Sequence, residues 1–234
     1  MVKRKNLQGK RVFITGGTGY VGRRLVALLV ERGYNVRALV RGGSEHKLPE
    51  GCEPVQGNAL EPDSYTKHVH SADAMVHLVG VSHPHPFKAG QFRAVDLVST
   101  EIAVSAALKA KVPHFVYVSV AQPAPIMKDY VQVRAECEAL LRGSGLNATI
   151  LRPWYVLGPG HRWPYAFVPF YWLFEKLPAS RTAAQRLGFV TLEQLCLTLL
   201  RAIDHPASGI RILSVPEIRI ISAGRFPRSE KTAA

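Results

Sequence analysis

The sequence has 234 residues, of which 47% are hydrophobic and 20% are charged, and its formal net charge is +13 at pH 7. This composition is typical of a globular protein and excludes intrinsic disorder and collagen-like repetition. The three cysteines stand at wide spacings, which argues against a disulfide framework and against structural zinc. We therefore expect a cytoplasmic protein with no metal site.

The excess positive charge is concentrated at the two ends of the chain, which is typical of solvated terminal arms. No nucleic-acid-binding motif accompanies it, so nucleic acid is not an expected partner. The first residues lack the apolar core of a secretory signal, and no stretch reaches the roughly 18 apolar residues of a membrane-spanning helix. The basic residues at the ends are Lys3, Arg4, Lys5, Lys10, Arg11, Arg225, Arg228 and Lys231.

Strand and helix patterns alternate along most of the chain. A β-branched and aromatic run at 11–14 ends in a glycine-rich turn, good helix formers follow at 25–30, and a second strand is predicted at 35–40. Such alternation predicts a parallel sheet with helices on both faces. Further strands are predicted at 53–56, 74–79, 115–119, 148–151 and 210–215, and further helices at 62–70, 91–110, 129–142 and 191–202.

The glycine-rich turn between the first strand and the first helix has the pattern of a dinucleotide-binding site. Gly16 permits a tight turn, Gly19 lets the backbone approach a pyrophosphate, and Gly22 allows the helix to pack closely. The following helix presents free N–H groups and the positive end of its dipole to the phosphates. This context between a strand and a helix predicts dinucleotide binding rather than a merely structural turn.

The second predicted strand ends at Arg41, about 20 residues after the glycine turn, where this fold places a residue beside the adenosine ribose. An acidic residue there binds the ribose hydroxyl of NAD, whereas an arginine binds the 2′-phosphate of NADP. NADP is therefore the predicted cofactor, with NAD as the alternative. Arg23 and Ser44 are candidates for additional contacts.

Five sequence motifs, the first of which contains the glycine turn, stand at intervals along the chain: Thr15-Gly-Gly-Thr-Gly-Tyr-Val-Gly22, Gly57-Asn58-Ala59-Leu60-Glu61-Pro62, Asp73-Ala-Met-Val-His-Leu-Val-Gly80, Val116-Tyr-Val-Ser119, and Ser144-Gly145-Leu146 leading to Ile150-Leu-Arg-Pro153 and Gly158-Pro-Gly160. Together they resemble the short-chain dehydrogenase/reductase superfamily. The similarity is to its extended and atypical branches, the epimerase/dehydratase-like and NmrA-like NAD(P)-binding proteins. It covers about residues 10 to 215 and implies an α/β fold of Rossmann type, a doubly wound parallel sheet with a small C-terminal aromatic cap.

The resemblance also implies which residues hold the cofactor. They come from the glycine turn, from the ends of the second to fifth predicted strands, and from the segment after the third strand. The amide of Asn58 replaces an aspartate that relatives often place near the adenine. The implied cofactor-binding residues are Gly16, Thr18, Gly19, Tyr20, Val21, Gly22, Arg41, Asn58, Ala59, Leu78, Val79, Gly80 and Ser119.

In that superfamily a tyrosine exchanges a proton with the substrate oxygen while nicotinamide exchanges a hydride. A lysine four residues later lowers the pKa of the tyrosine, which is otherwise near 10 and mismatched to neutral pH. Here Tyr130 matches the tyrosine, but Arg134 stands in place of the lysine and Ala121 in place of the extended branch's serine. The resemblance thus implies Tyr130 as acid/base, helped by Arg134, and the alternative is an ordinary pair of helix residues.

The C-terminal third has a different texture, rich in proline and aromatic residues. We interpret residues 1–221 as one domain, with cap elements at about 154–190 and a basic tail at 222–234. The cap predicts an apolar or aromatic substrate pocket, or else its own small core or a patch that contacts a protein or a membrane. Its aromatic residues are Trp154, Tyr155, Trp163, Tyr165, Phe167, Phe170, Tyr171, Trp172 and Phe174.

Two functional hypotheses follow. The first is an NADP(H)-dependent oxidoreductase of the extended or atypical short-chain type that transfers hydride to or from a small carbonyl or quinone-like substrate. The second is a catalytically weak or inactive regulator or assembly protein that senses NAD(P). The His83-Pro-His-Pro86 segment follows the fourth strand and is a candidate for the nicotinamide pocket, although a polar loop is the simpler interpretation.

Overall fold

The computed structural model describes residues 9–82, 85–159 and 186–224. The predicted cap aromatics from Trp163 to Phe174, the His83-Pro84 pair and the basic arm after residue 224 lie outside these ranges. The strands are β1 Arg11–Thr15, β2 Asn35–Val40, β3 Cys52–Gln56, β4 Ala74–His77, β5 Phe115–Val118, β6 Ala148–Arg152, β7 Tyr155–Leu157, β8 Phe189–Thr191 and β9 Ile210–Ser214. The α-helices are α1 Tyr20–Glu31, α2 Pro62–Tyr65, α3 Ala89–Gln91, α4 Val98–Lys109, α5 Lys128–Gly143, α6 Leu192–Asp204 and α7 Val215–Ser222.

Seven strands form one sheet in the order β3-β2-β1-β4-β5-β6-β9, and every neighbouring pair is parallel. This confirms the predicted Rossmann-type doubly wound sheet. The strand order reverses between β1 and β4, and ligands of such sheets bind in the crevice outside the carboxyl ends at that point.

The core has two parts because alternate strand residues point to opposite faces of the sheet. On β1, Val12 and Ile14 pack with residues of α1, α6 and α7, while Phe13 packs with residues of α4 and α5. Both faces are therefore buried, which is why the strands read as nearly continuous apolar runs rather than as alternating ones.

Several predicted elements differ from the observed ones. The strands predicted to reach residues 79 and 119 end at His77 and Val118. The helix predicted at 62–70 is shorter: α2 continues only as a 3₁₀ turn, Thr66–His68. The helix predicted at 91–110 contains a π-helical stretch, Phe92–Leu97, between α3 and α4. Such π turns occur often at functional sites.

A second, small sheet pairs β7 with β8 in parallel. Thr191 then caps α6, since its hydroxyl accepts a bond from Gln194 N–H and the Gln194 side chain accepts from Thr191 N–H. Within the described ranges, no helix combines the length and the apolar character needed to cross a membrane.

Candidate functional site

A cleft of about 430 Å³ lies at the carboxyl ends of β1 to β4, where the strand order reverses. Most of the residues predicted to hold the cofactor line it together, although they come from four separate segments of the chain. These are Gly16, Thr18, Gly19, Arg41, Asn58, Ala59, Leu78, Val79 and Gly80.

The glycine turn is built so tightly that side chains do not fit. Gly16 has a φ of +79°, and a Cβ there would lie 2.9 Å from the Leu78 carbonyl carbon at the end of β4. A Cβ on Gly22 would lie 2.2 Å from the carbonyl oxygen of Gly16. Glycine at these two positions thus lets the backbone of β1, α1 and β4 converge on the cleft.

Helix α1 begins at this turn with Gly19 as its N-cap residue. In this described helix, no side chain caps the N-terminus and the first turn has no acidic residue. The N-terminal N–H groups and the positive end of the helix dipole are thus left for an anion. The predicted residues Tyr20, Val21 and Gly22 belong to this first turn but not to the lining of the cleft.

Tyr20 has a different contact. A Cβ on Gly158 would lie 2.2 Å from the Tyr20 hydroxyl oxygen, so this ring packs directly against the backbone that follows β7. The glycine of the Gly158-Pro-Gly160 motif therefore makes room for the first turn of α1.

The far end of the cleft contains Arg41 and Asn58. Arg41 follows β2 and is exposed at the edge of the cleft. The Asn58 side chain donates to Glu61 Oε1 at 2.9 Å and accepts from Leu60 N–H at 3.1 Å, so its amide shapes the loop after β3. Arg23 is exposed on the first turns of α1.

Some lining residues were missed by the sequence analysis. Lys88 lines the cleft and donates to the Ser82 carbonyl oxygen at 2.7 Å, which closes the loop after β4. Gln91 and Val95 are four residues apart on one helical stretch and reach the cleft together, a spacing that the sequence does contain. The other missed residues are Leu39, Gly57, Leu60, Val81 and Ser82.

The predicted pair Tyr130 and Arg134 lies on α5, beside the cleft rather than in its lining. Arg134 is only 6% exposed. Its Nη2 lies 2.5 Å from Asp96 Oδ1, and its Nη1 donates to the Tyr117 hydroxyl and to the Val118 carbonyl oxygen, both at 3.0 Å. The guanidinium is thus bound within the protein by partners on β5 and on the π-helical stretch.

Tyr130 packs between this ion pair and the core. Its ring centroid is 5.0 Å from that of Phe92 and 5.2 Å from the Arg134 guanidinium carbon. Burial raises the pKa of the Tyr130 phenol, and the Arg134 charge lowers it by less than burial raises it. The expected effect of Arg134 on the tyrosine is therefore present but outweighed, and Tyr130 is protonated at neutral pH.

Ser119 is bound by a buried carboxylate. Its hydroxyl donates to Glu138 Oε1 at 2.7 Å, and the same carboxylate accepts from Gln122 at 2.6 Å, from Arg152 at 2.5 and 2.9 Å and from Arg142 at 2.8 Å. Burial alone would raise the pKa of Glu138, but the bonds from Arg152 and Ser119 and the Arg152 charge lower it. The Ser119 side chain thus faces this cluster instead of the cofactor cleft.

His77 lies at the end of β4 and is completely buried. Its Nδ1 is 2.7 Å from the Thr15 hydroxyl, and its ring stacks on Tyr117 with centroids 5.9 Å apart. Burial, and then the Arg134 charge, lower the pKa of His77 to about 3. His77 is therefore neutral at physiological pH. The predicted loop residue His85 is exposed, and its side chain accepts a hydrogen bond from Phe87 N–H at 3.5 Å.

A second cavity of about 300 Å³ lies beyond the carboxyl ends of β5, β6 and β9. Its lining contains both polar and apolar residues, and Ala121 is among them. Two arginines line it, and one of them, Arg152, pairs with Glu138. The lining residues are Ala121, Gln122, Arg152, Arg186, Ile212, Ser214 and Pro216.

The comparisons with known proteins agree with the cleft. A family model described as NAD(P)H-binding matches residues 16–163. The enzyme WbmH of Bordetella bronchiseptica, whose crystal structure is in complex with NAD+, has a TM-score of 0.66 and 22% identity, and the match covers 95% of this chain and 85% of that one. This likeness shows the fold.

Two curated relatives are reductases. A ketoreductase of Stigmatella aurantiaca, which acts on 4-hydroxy-2-methyl-3-oxo-4-farnesyl-3,4-dihydroquinoline-1-oxide, is 27% identical over 63% of this chain. The ceramide reductase of Caulobacter vibrioides is 28% identical over 87% of this chain. The chain spans 51% and 64% of the lengths of these two proteins, respectively.

Proposed function

Because this chain belongs to the NAD(P)H-binding family of Rossmann-fold proteins, we propose that it is an NADP(H)-dependent oxidoreductase that reduces a small carbonyl or quinone-like substrate. The observation that carries the proposal is the glycine-turn cleft, where a tight glycine turn, a helix N-terminus without a side-chain cap and Arg41 meet at one crevice. The two reductases among the relatives support the reaction class.

The residues of the cleft fit a dinucleotide. A pyrophosphate needs close backbone approach and free N–H groups, and the turn leaves no space for a Cβ at Gly16 or Gly22 and adjoins the α1 N-terminus. The backbone of 78–80 would bind the nicotinamide half, and the loop at 57–60 would bind the adenine half. Arg41, at the edge of the cleft, would contact the adenosine ribose.

The charge of Arg41 favours NADP over NAD. Its guanidinium is a forked donor that suits a phosphate, and the edge of the cleft is open to it. Lys88 contributes a second cation to the lining. We therefore take NADPH as the working cofactor and NADH as the weaker one.

The chemistry is divided between the cofactor and the chain. When bound, the nicotinamide supplies the hydride. Tyr130 donates a proton to the substrate oxygen, and since burial raises its pKa, the phenol is protonated and ready to donate at neutral pH. Arg134 orients the Tyr130 ring through a cation–π contact at 5.2 Å. Ser119 takes no direct part, because Glu138 binds its hydroxyl.

The second cavity is the substrate site that we propose. It is lined by the polar residues Gln122 and Arg152 and by the apolar Ile212. Trp154 and Tyr155, whose rings meet edge to face at 5.6 Å, stand at the start of the aromatic segment. We propose a substrate with a carbonyl group and an apolar or aromatic body.

The test is the loss of reduced-nicotinamide absorbance when the protein is mixed with NADPH and a panel of ketones and quinones. We expect turnover with at least one compound class, and at least an approximately 100-fold lower rate for Tyr130→Phe, since a positioned acid contributes about that much. Tyr65→Phe is the matched control, because Tyr65 is completely buried, does not line the cleft, and its hydroxyl has no hydrogen-bond partner among the described residues. Equal rates for Tyr130→Phe and wild type would contradict the assigned role.

A second candidate function is a nucleotide-binding regulator or assembly protein. The observation in its favour is that two groups at the proton-relay positions are already bound to carboxylates of the protein: Arg134 binds Asp96, and Ser119 binds Glu138. Such a protein would bind NADPH tightly and oxidise none across the panel. Turnover that depends on Tyr130 would exclude it.

A further inference from the structure

The Arg134 charge has a dedicated partner in Asp96, and this pair lies beneath the cleft wall. Asp96 is completely buried on the π-helical stretch. Its Oδ1 contacts Arg134 at 2.5 Å, and its Oδ2 accepts from Val81 N–H at 3.0 Å. A Cβ on Gly80 would lie 2.1 Å from Arg134 Nη2 and 3.0 Å from Asp96 Oδ1. The ion pair therefore packs directly against the backbone that lines the cleft.

We propose that Asp96 is a positioning residue that offsets part of the Arg134 charge beside Tyr130 and thereby adds to the burial that keeps the phenol protonated as a proton donor. This role rests on the proposed reduction. Without Asp96, a buried guanidinium 5.2 Å from the phenol ring would shift the phenol toward the tyrosinate. With Asp96, the opposite charge offsets part of that shift.

The other titratable groups around Tyr130 and this ion pair are neutral at physiological pH. Cys137 on α5 has its pKa raised by burial. Tyr117 on β5 binds Arg134 and has its pKa raised by burial, and His77, which stacks on Tyr117, is uncharged because burial lowers its pKa to about 3. The charge balance at Tyr130 is therefore decided by Arg134 and Asp96 among the described residues.

Both members of the pair carry their charge. Burial opposes the charge of Arg134, but Tyr117, Tyr130 and Asp96 raise the Arg134 pKa well above its ordinary value. Burial raises the pKa of Asp96, and the Arg134 charge and the Val81 N–H oppose that rise. A carboxylate in contact with a permanently charged guanidinium is ionised, because the pair offsets the desolvation of each ion.

The geometry also distinguishes this role from a purely structural one. A residue that only stabilised the packing would need no more than the contact between the π-helical stretch and α5. Asp96 instead combines that contact with a bond to Val81, in the loop that lines the cleft, and with a charge opposite to that of Arg134. Asp96→Asn removes the charge and keeps the shape of the side chain, so the Tyr130 phenol should lose its proton more easily in this variant.

The experiment is a double-mutant cycle read by titration of the phenol. The variants are Asp96→Asn, Arg134→Gln and the double variant, and the ultraviolet absorbance of the phenolate is followed with pH. Subtracting the same titration of each variant with Tyr130→Phe added isolates the Tyr130 signal from the other tyrosines. Glu136→Gln is the control, because this exposed carboxylate on α5 pairs with Arg93 and not with Arg134.

We expect opposite displacements from the two single variants. In Asp96→Asn the phenol should titrate at least about one pH unit lower than in wild type, because a positive charge within about 6 Å is left uncompensated. In Arg134→Gln it should titrate higher, and the double variant should lie between the two. The alkaline limb of the pH profile for reduction should move with the titration in every variant.

An unchanged titration in Asp96→Asn would overturn the proposal, as would displacement of both single variants in the same direction. If Asp96→Asn is too unstable to titrate, the comparison of Arg134→Gln with the double variant replaces it. Those two differ only at residue 96, and at the alkaline pH where the phenol ionises even a buried carboxyl is charged. The phenol must then titrate lower in the double variant, and equal titrations would overturn the proposal.

The titration also separates this inference from the proposed function. It reads the Tyr130 phenol without turnover, so a failure of the reductase assay leaves the charge balance testable. Conversely, if Tyr130→Phe abolishes reduction but Asp96→Asn leaves both the titration and the pH profile unchanged, the reductase proposal stands and the role of Asp96 falls.

Discussion

The two halves of the sheet's carboxyl edge differ in the groups that form them. Around β1 to β4 the shape of the crevice depends on close approach of the backbone at positions such as Gly16 and Gly22, where no side chain fits. Beside β5, β6 and α5 the protein instead contains buried charged side chains, above all Asp96, Arg134 and Glu138.

This difference assigns ligand recognition to the first half and control of protonation to the second. A backbone-built crevice suits a ligand common to many proteins, because N–H groups and a helix dipole recognise phosphates without specific side chains. A network of buried charges sets the protonation and orientation of neighbouring groups, and it fails as a unit when one member is removed. We therefore expect mutations in the first half to affect binding and mutations in the second half to affect stability and pH dependence.

The largest effect is expected from Glu138→Gln, which leaves Arg152 with no carboxylate in this buried cluster. Removing one partner of a buried ion pair costs about 3–5 kcal/mol, so the free energy of unfolding measured with urea should fall by that amount. Glu136→Gln on the same helix should cost less than about 1 kcal/mol, because its pair with Arg93 is exposed. Similar losses of unfolding free energy for the two variants would show that the Glu138 cluster does not stabilise the second half.

The next effect concerns the backbone-built half. Gly22→Ala would put a methyl group 2.2 Å from the Gly16 carbonyl oxygen, so the turn must open and NADPH binding should weaken by about 100-fold, equivalent to the upper range of overpacking costs. Gly90→Ala is the control, because a Cβ there meets open space. Calorimetric titration with NADPH checks this, and unchanged affinity in Gly22→Ala would argue that the turn is not the phosphate site.

A third effect is the acid sensitivity of the buried core. The pKa of His77 is lowered by burial and Arg134 to about 3, and that of His114 by burial, Arg211 and Lys10 to about 4. Since the unfolded chain takes up these protons near pH 6.5 and the folded chain does not, stability should fall as the pH drops below 6.5. Each histidine contributes up to about 1.4 kcal/mol per pH unit until its folded pKa is reached.

Urea unfolding at several pH values tests this window. In His77→Gln the slope of unfolding free energy against pH should be about half that of wild type between pH 6 and pH 4, because only one of the two buried histidines remains. His70→Gln should keep the wild-type slope, since His70 is exposed. A wild-type slope in His77→Gln would mean that this histidine is protonated in the folded protein.

The contrast between the halves also explains what the sequence could predict. The alternation of strands and helices, the doubly wound sheet and the glycine turn were predicted because local periodicity and glycine spacing express them directly. The pairing of Arg134 with Asp96 was not predicted, because it joins residues far apart in the sequence whose contact depends on the completed fold. Sequence reasoning gave Ser119 a place beside the cofactor, whereas its hydroxyl binds Glu138.

The π-helical stretch escaped prediction for a related reason. The apolar spacing of residues 91–110 is compatible with a regular helix, and the extra residue in the π turn is recognisable only once Asp96 is seen buried against Arg134. The spacing of Gln91 and Val95 could have been recognised, since both lie on one face of that helix and line the cleft.

The central claim is that the crevice at β1 to β4 binds an NADP-type dinucleotide through Arg41, and equilibrium titration with NADPH and NADH tests it most directly. Wild type should bind NADPH at least about tenfold more tightly than NADH, and Arg41→Ala should remove most of that difference while leaving NADH affinity nearly unchanged, because only the 2′-phosphate bonds are lost. Arg32→Ala, at the exposed end of α1, should keep the wild-type preference. Equal affinity of wild type for the two cofactors, or equal weakening of both in Arg41→Ala, would contradict the claim.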